Sequence, residues 1–114
     1  MTLHECQDPT DPTTLRHGVQ EDFVIFYASR DENGSLWCPD CVAVESRVKD
    51  AFGRDKGPSA IIVYVGQRPE WKSSSNPFRA DPWKVESIPT IIRVRDGACL
   101  VDKDIEHSLA SFLE

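Results

Sequence analysis

Trp37-Cys38-Pro39-Asp40-Cys41 is the stretch whose reading decides the fold. Two cysteines stand three positions apart, and a Pro follows the first. Shortly upstream lies Phe23-Val24-Ile25-Phe26-Tyr27-Ala28, a continuous apolar run that suits a central strand buried on both faces. From Cys38 onward the pattern turns helical. Cys41, Val44, Val48 and Phe52 recur at intervals of three and four, while Glu45, Arg47, Lys49 and Asp50 mostly fill the other face. Pro39 suits a first helical turn. Gly53 or Gly57 is read as the stop, and Pro58 bars continuation. The motif therefore lies where a strand hands over to a helix.

That placement has chemical content. The first amides of a helix lack internal partners and carry a partial positive charge, which stabilises a thiolate. Cysteines at such positions have pKa values of roughly 3.5–7.5, against about 8.5 for a free thiol. Cys38 stands there and reads as a nucleophile. Cys41, nearly on the same face and one turn deeper, is expected to be more buried, to keep its proton longer and to resolve the mixed disulfide. Asp40 has two readings. Its carboxylate competes with a thiolate for one dipole and so acts as a brake, or it relays a proton to or from Cys41.

Downstream, Ala60-Ile61-Ile62-Val63-Tyr64-Val65 reads as a second buried strand ended by Gly66. Gln67 to Glu86 is long and carries Trp71, Phe78 and Trp83 around a Ser73-Ser74-Ser75 run. Large apolar groups gain little on a mobile linker, so a docked segment with a helical turn or two is expected. Ile88-Pro89-Thr90 leads into Ile91-Ile92-Arg93-Val94-Arg95, a third strand with one wet face. Asp96-Gly97 signals a two-residue hairpin turn into Ala98-Cys99-Leu100-Val101. Ile105, Leu109 and Phe112-Leu113 give a short terminal helix with one apolar face. Upstream, Ser29 to Ser35 is a polar loop with an Asn33-Gly34 turn signal. Residues 1–20, broken by Pro9 and Pro12, read as an irregular segment in which Thr14-Leu15-Arg16 forms either a short helix or a loop. Strand-helix-strand requires a parallel crossover. The fold class is α/β, with a mixed sheet of four to five strands and helices on both faces.

The 114 residues fit one domain, with 39% hydrophobic and 28% charged residues, the latter close to the globular norm of about 25%. A net charge of -6 offers no reward to nucleic acid or an anionic membrane. No apolar run approaches the roughly 20 residues that span a bilayer. Met1 to Cys6 has no basic region followed by an apolar one, so no signal peptide is expected. Reduced thiols in a cytosol-like compartment follow. A structural zinc site needs four ligands, and Cys6, Cys99, His4, His17 and His107 supply no second pair at ligand spacing. No metal is expected. Cys99 reads as a small core residue and Cys6 as incidental. His4 and His17 read as solvated surface groups.

Cys38-Pro39-Asp40-Cys41 on a strand-to-helix junction, with Ile88-Pro89-Thr90 before a later strand, resembles the thioredoxin superfamily. Trp37 before the motif, the enlarged loop upstream, Val65-Gly66 with Pro69 and Trp71-Lys72, and Asn76 with Phe78-Arg79 together resemble the thioredoxin domain-containing protein 17 family. The resemblance covers about residues 21–114, taken as the thioredoxin-like domain. It implies a cytoplasmic, monomeric disulfide reductase with no bound cofactor, recharged by NADPH through thioredoxin reductase. Implied substrates are small disulfides such as cystine, related nitrosothiols or persulfides, and selected protein disulfides. Cys38 and Cys41 carry over as nucleophile and resolving thiol, forming the redox-active disulfide. Trp37, Pro39 and Asp40 tune the site. Pro89 is implied to be cis, and Ile88 to contact substrate.

Two departures from ordinary thioredoxin bear on mechanism. Thioredoxin carries a buried Asp in the strand before its motif, and the matching position here is Ile25, which cannot titrate. The segments 29–36 and 67–86 are also enlarged; they either wall the cleft against large substrates or only cover the core. A different class of reading is a thioredoxin-fold adaptor whose dithiol regulates docking without turnover.

Overall fold

The computed structural model describes residues 3–5, 21–52, 59–73, 76–79, 83–101 and 103–112. Strand β1 (Leu3–Glu5) precedes β2 (Phe23–Tyr27), helix α1 (Pro39–Phe52), β3 (Ala60–Tyr64), the short helix α2 (Arg68–Lys72) and a 3-10 turn at Pro77–Arg79. Strands β4 (Thr90–Arg93) and β5 (Cys99–Val101) and helix α3 (Lys103–Phe112) follow. The five strands lie in the order β1-β3-β2-β4-β5. β3 runs parallel to both β1 and β2, whereas β4 is antiparallel to β2 and to β5.

β2 is the centre of the sheet, and every one of its residues is buried. Alternate side chains point to opposite faces of a strand, and the ring contacts show which face is which. Phe23 meets Phe52 of α1 at 5.5 Å and Phe112 of α3 at 5.8 Å between ring centres. Phe26 meets Phe78 at 5.7 Å and Trp83 at 5.6 Å. One face of β2, Phe23-Ile25-Tyr27, thus lies under α1 and α3. The other lies under the segment between β3 and β4.

That segment is docked, as its aromatic content predicts. Trp71, Phe78 and Trp83 are all buried; each such side chain contributes roughly 1.5–3 kcal/mol of burial. Buried Asn76 ties the path together. Its Nδ2 donates to the carbonyls of Val65 (2.9 Å) and Glu70 (3.1 Å), and its Oδ1 accepts from the Phe78 amide (3.0 Å). Arg79 donates from Nε to the Trp71 carbonyl at 2.7 Å and stacks its guanidinium 4.0 Å over the Trp71 ring.

Several sequence expectations are corrected. Leu3–Glu5 is a strand within the stretch read as irregular. Three residues carry no periodicity of their own; their pairing is set by the open edge of β3. The Asp96-Gly97 turn is longer than two residues. Register pairs Ile92 with Cys99, Arg93 and Ala98 close the loop (N to O, 2.8 Å), and the Val94 amide turns back to the Asp22 carbonyl at 3.0 Å. Gly97 supplies the positive φ (75°) that returns the chain. β4 has no wet face up to Arg93: Thr90, Ile91 and Ile92 are all buried, because α3 and the docked segment cover both sides of the sheet. Cys99 is exposed rather than in the core, since β5 is an edge strand that turns Leu100 inward and Cys99 outward. The helix stop at Gly53 or Gly57, the Thr14–Arg16 alternative, Cys6, Leu113 and the side chains of His4 and His17 lie outside the described residues.

Candidate functional site

The dithiol is built by the junction of β2 and α1. α1 begins at Pro39, so Cys38 is the residue before the helix, and its carbonyl accepts the Val42 amide at 3.1 Å. Cys38 keeps 8% of its surface exposed, while Cys41 is fully buried. Both are free thiols. The Cys38 sulfur lies 3.9 Å from the Ile88 carbonyl oxygen, and the Ile88-Pro89 peptide is cis. Cys38, Ile88 and Pro89 are therefore brought together from positions 50 residues apart.

Cys41 sits differently. Its sulfur accepts a hydrogen bond from the Ala28 amide at 3.5 Å. Burial drives its pKa far upward, and the Ala28 hydrogen bond opposes this. The neighbouring Cys38 and the Asp40 carboxylate push further upward. Asp40 is exposed on the first turn. Its charge works against ionisation of the deeper thiol, Cys41. Ile25 is completely buried under α1 and offers no proton to either sulfur.

Trp37 forms one wall. Its indole N–H donates to the Gly66 carbonyl at 2.8 Å, and the Arg68 guanidinium lies 4.9 Å over its ring. Gly66, read from the sequence as a strand terminator and as part of the family pattern, is also a hub. Its carbonyl also accepts the Ser29 amide (3.1 Å), and its own amide donates to Ser29 Oγ (2.9 Å). Its φ of +112° suits glycine, and a Cβ there would lie 2.9 Å from the Glu70 Cβ.

The 29–36 loop is closed on itself. Asp31 Oδ1 accepts the amides of Asn33 (2.9 Å) and Ser35 (3.2 Å), Gly34 takes the positive φ, and Arg30 pairs with Leu36. Arg30 fastens this loop to α1 through Glu45 (2.6 Å), and its carbonyl accepts Gln67 Nε2 (2.7 Å). The two enlarged segments thus meet beside Trp37. Gly66, Ser29, Gln67 and Arg68 are site residues that local patterns did not reveal, because their partners lie 29–37 positions away. Among the described residues, no group of three or more His, Cys, Asp or Glu could hold a metal ion. No described helix is long and apolar enough to cross a membrane.

Comparison with known proteins adds a family. The model of the thioredoxin domain-containing protein 17-like thioredoxin domain matches residues 4–113. The match includes most of the N-terminal stretch that the resemblance left out. The thioredoxin domain-containing protein 17 of Danio rerio is 36% identical over 105 residues, covering 91% of this chain and 84% of that protein. The Homo sapiens protein of the same name is 33% identical over 90 residues, covering 78% and 72%. The thioredoxin-like protein Clot of Oryza sativa subsp. japonica is 37% identical over 82 residues, covering 66% of this chain; there the match spans 59% of the relative's own length.

Proposed function

Since this chain belongs to the thioredoxin domain-containing protein 17-like family of thioredoxin-fold proteins, we propose that it is a thiol–disulfide oxidoreductase working as a disulfide reductase. Cys38 is the nucleophile and Cys41 the resolving thiol. The Cys38 thiolate attacks one sulfur of the substrate disulfide, forms a mixed disulfide and expels the first product as a thiolate. Cys41 then loses its proton and attacks the Cys38 sulfur. The Cys38–Cys41 disulfide forms, and the second product leaves with the electron pair of the broken bond. Two electrons from NADPH, delivered through thioredoxin reductase, restore the dithiol. No cofactor is held by the chain itself.

The observation that carries this reading is the asymmetry of the two thiols. Cys38 stands at the helix start beside the Ile88 carbonyl, and Cys41 is buried one turn deeper. An extended substrate backbone beside Ile88 and Pro89 would present its sulfur to Cys38. Trp37, Pro39 and Asp40 border that approach. The 29–36 and 67–79 segments, fastened to each other at Arg30 and Gln67, favour small disulfides such as cystine and selected protein disulfides over large partners. The working form in this reading is a cytoplasmic monomer that binds neither nucleic acid nor membrane.

Turnover of an aromatic disulfide, coupled to NADPH and thioredoxin reductase and followed by absorbance, tests the proposal. The parent chain should turn over, and Cys38→Ser should not. No turnover by the parent, or full turnover by Cys38→Ser, would sink the reductase reading; the former result with ligand-dependent binding intact would favour the adaptor.

A further inference from the structure

The second step of the reaction asks a buried thiol to ionise. Cys41 has no exposed surface, and removal from water disfavours a charged sulfur. Cys38 and the Asp40 carboxylate, both on its own stretch of chain, oppose the charge as well. From β2, the charges of Tyr27 and Cys41 also oppose one another. Ile25 brings no acid or base. None of these side chains favours the thiolate, and the backbone supplies the group that does.

Ala28 follows β2 directly. The Tyr27 carbonyl before it accepts the Val65 amide at 2.9 Å, and the Ser29 amide after it donates to the Gly66 carbonyl at 3.1 Å. Those two bonds fix the chain on either side and leave the Ala28 amide unspent. Pairing of β2 with β4 stops at Phe26 and Thr90, so that ladder does not claim it either. Ala28 is fully buried, and a buried N–H needs an acceptor. Its acceptor is the Cys41 sulfur, at 3.5 Å. The donor is therefore aimed at the sulfur before any charge forms. A thiol is a weak acceptor and a thiolate a strong one. A contact that strengthens as charge develops lowers the barrier to forming that charge.

We propose that the Ala28 backbone N–H is a catalytic donor for the resolving step, holding the Cys41 thiolate as it forms. This rests on Cys38 and Cys41 acting as nucleophile and resolver. In the mixed disulfide Cys41 gives its proton to solvent. Ala28 keeps its own proton and donates the hydrogen bond to the resulting thiolate. The Cys41 electron pair forms the bond to Cys38, the Cys38–substrate bond breaks, and the departing sulfur takes that bond's pair and a proton from solvent. With Ile25 unable to accept a proton, the thiolate is favoured by a donor rather than made by a base.

The test replaces the Ala28 amide by an ester. Lactic acid at position 28 keeps the methyl group and removes the N–H, and a synthetic 1–37 thioester joined to 38–114 at Cys38 gives the full chain. The reduced protein is mixed with one equivalent of an aromatic disulfide and followed by stopped-flow absorbance. Release of the first thiol reports attack by Cys38, and release of the second reports resolution by Cys41. A hydrogen bond to a charged acceptor is worth about tenfold or somewhat more in rate. The second phase should slow by about tenfold at pH 7 and its pH profile should move upward by about one unit, with the first phase unchanged. An unchanged second phase, a superimposable profile, or equal slowing of both phases would overturn the assignment. A second measurement leaves the backbone intact. In a Cys38→Ser, Cys41→Sec chain, selenocysteine ionises at lower pH than cysteine, and the Ala28 amide proton should move downfield with that ionisation, further than those of Tyr27 and Ser29. A shift no larger than theirs would overturn the assignment whether or not the ester protein folds. Release of the first thiol by the parent tests Cys38 as nucleophile separately, and the amide titration does not depend on it.

Discussion

The first turn of α1 and the stretch from Gly66 to Arg79 both border Trp37, and they contribute in opposite ways. α1 brings reactive side chains: Cys38 at its start and Cys41 one turn in. The second stretch brings mostly backbone. The Gly66 carbonyl holds Trp37 and Ser29, while the Val65, Glu70 and Trp71 carbonyls hold Asn76 and Arg79. Chemistry is concentrated in five consecutive residues, whereas the shape around it depends on long-range hydrogen bonds to carbonyls that any sequence possesses. Damage to the first region should therefore abolish reaction without unfolding, and damage to the second should unfold without touching the thiols.

The largest expected effect is on the first region. Cys41→Ser leaves Cys38 able to attack but removes the sulfur that closes the disulfide. Turnover should fall by on the order of 10³-fold or more. A covalent adduct of one substrate half on Cys38 should accumulate, visible as added mass that disappears with dithiothreitol. Failure to trap it would mean that some other group resolves. The counterpart is Asn76→Ala, which strands the Val65 carbonyl and the Phe78 amide in a buried setting, while the Glu70 carbonyl keeps the Ser73 amide. A loss of about 2–4 kcal/mol in urea denaturation is expected, while the folded fraction keeps its rate of Cys38 alkylation within about twofold. If alkylation fell together with stability, the two regions would be one cooperative unit and the contrast would fail.

The contrast also explains what the sequence could reveal. β2, β3 and α1 each carry their own period, so Phe23–Tyr27, Ala60–Tyr64 and Cys41-Val44-Val48-Phe52 were readable one segment at a time. β1 was not, because Leu3–Glu5 is a strand only through its neighbour. Cys99 was misplaced because an apolar-looking run does not say which alternate residue an edge strand turns outward. Arg93 misled for a related reason. It looks like a solvated residue, yet its Nη1 donates to the Phe112 carbonyl at 3.0 Å and its guanidinium stacks 4.9 Å over the Phe112 ring. In the site, the cysteine pair was legible from spacing. Gly66 and Ser29 were not, since each is defined by a partner across the fold.

A third prediction concerns the buried Cys41 thiol and pH. The folded pKa of Cys41 is raised, chiefly by burial, and that of Tyr27 is raised for the same reason. In the unfolded chain a thiol ionises near about 8.5 and a phenol near about 10. Below those values both states hold the proton and stability is flat. Above them the unfolded chain releases protons that the folded chain retains, so stability falls as pH rises. Reduced protein should lose about 1.4 kcal/mol per pH unit for Cys41 above roughly pH 9, with Tyr27 adding a like slope above roughly pH 10.5. Urea denaturation between pH 7.5 and 10 checks this. Cys41→Ala should remove most of the slope between pH 9 and 10, leaving the smaller contribution of Cys99, which burial also raises; an undiminished slope in that variant would assign the effect elsewhere.

The smallest effect tests whether any side chain of the second region reaches the chemistry. Arg68 is exposed and lies 4.9 Å over the Trp37 ring. At an exposed site such a contact is worth about 0.5–1 kcal/mol. Arg68→Ala should lower stability by no more than that, and it should change the Trp37 contribution to fluorescence while the indole keeps its bond to the Gly66 carbonyl. Its further value lies in charge. A net -6 chain repels anionic substrates in general, and a cation stacked on the residue next to Cys38 offsets that repulsion locally. The rate of Cys38 alkylation by a negatively charged reagent such as iodoacetate should therefore fall by about two- to threefold in Arg68→Ala at low salt, while the neutral iodoacetamide should react at an unchanged rate, and the difference should close as ionic strength rises. Equal slowing with both reagents would show that Arg68 holds Trp37 in place rather than steering charge, which would make it one more structural fastener of the second region.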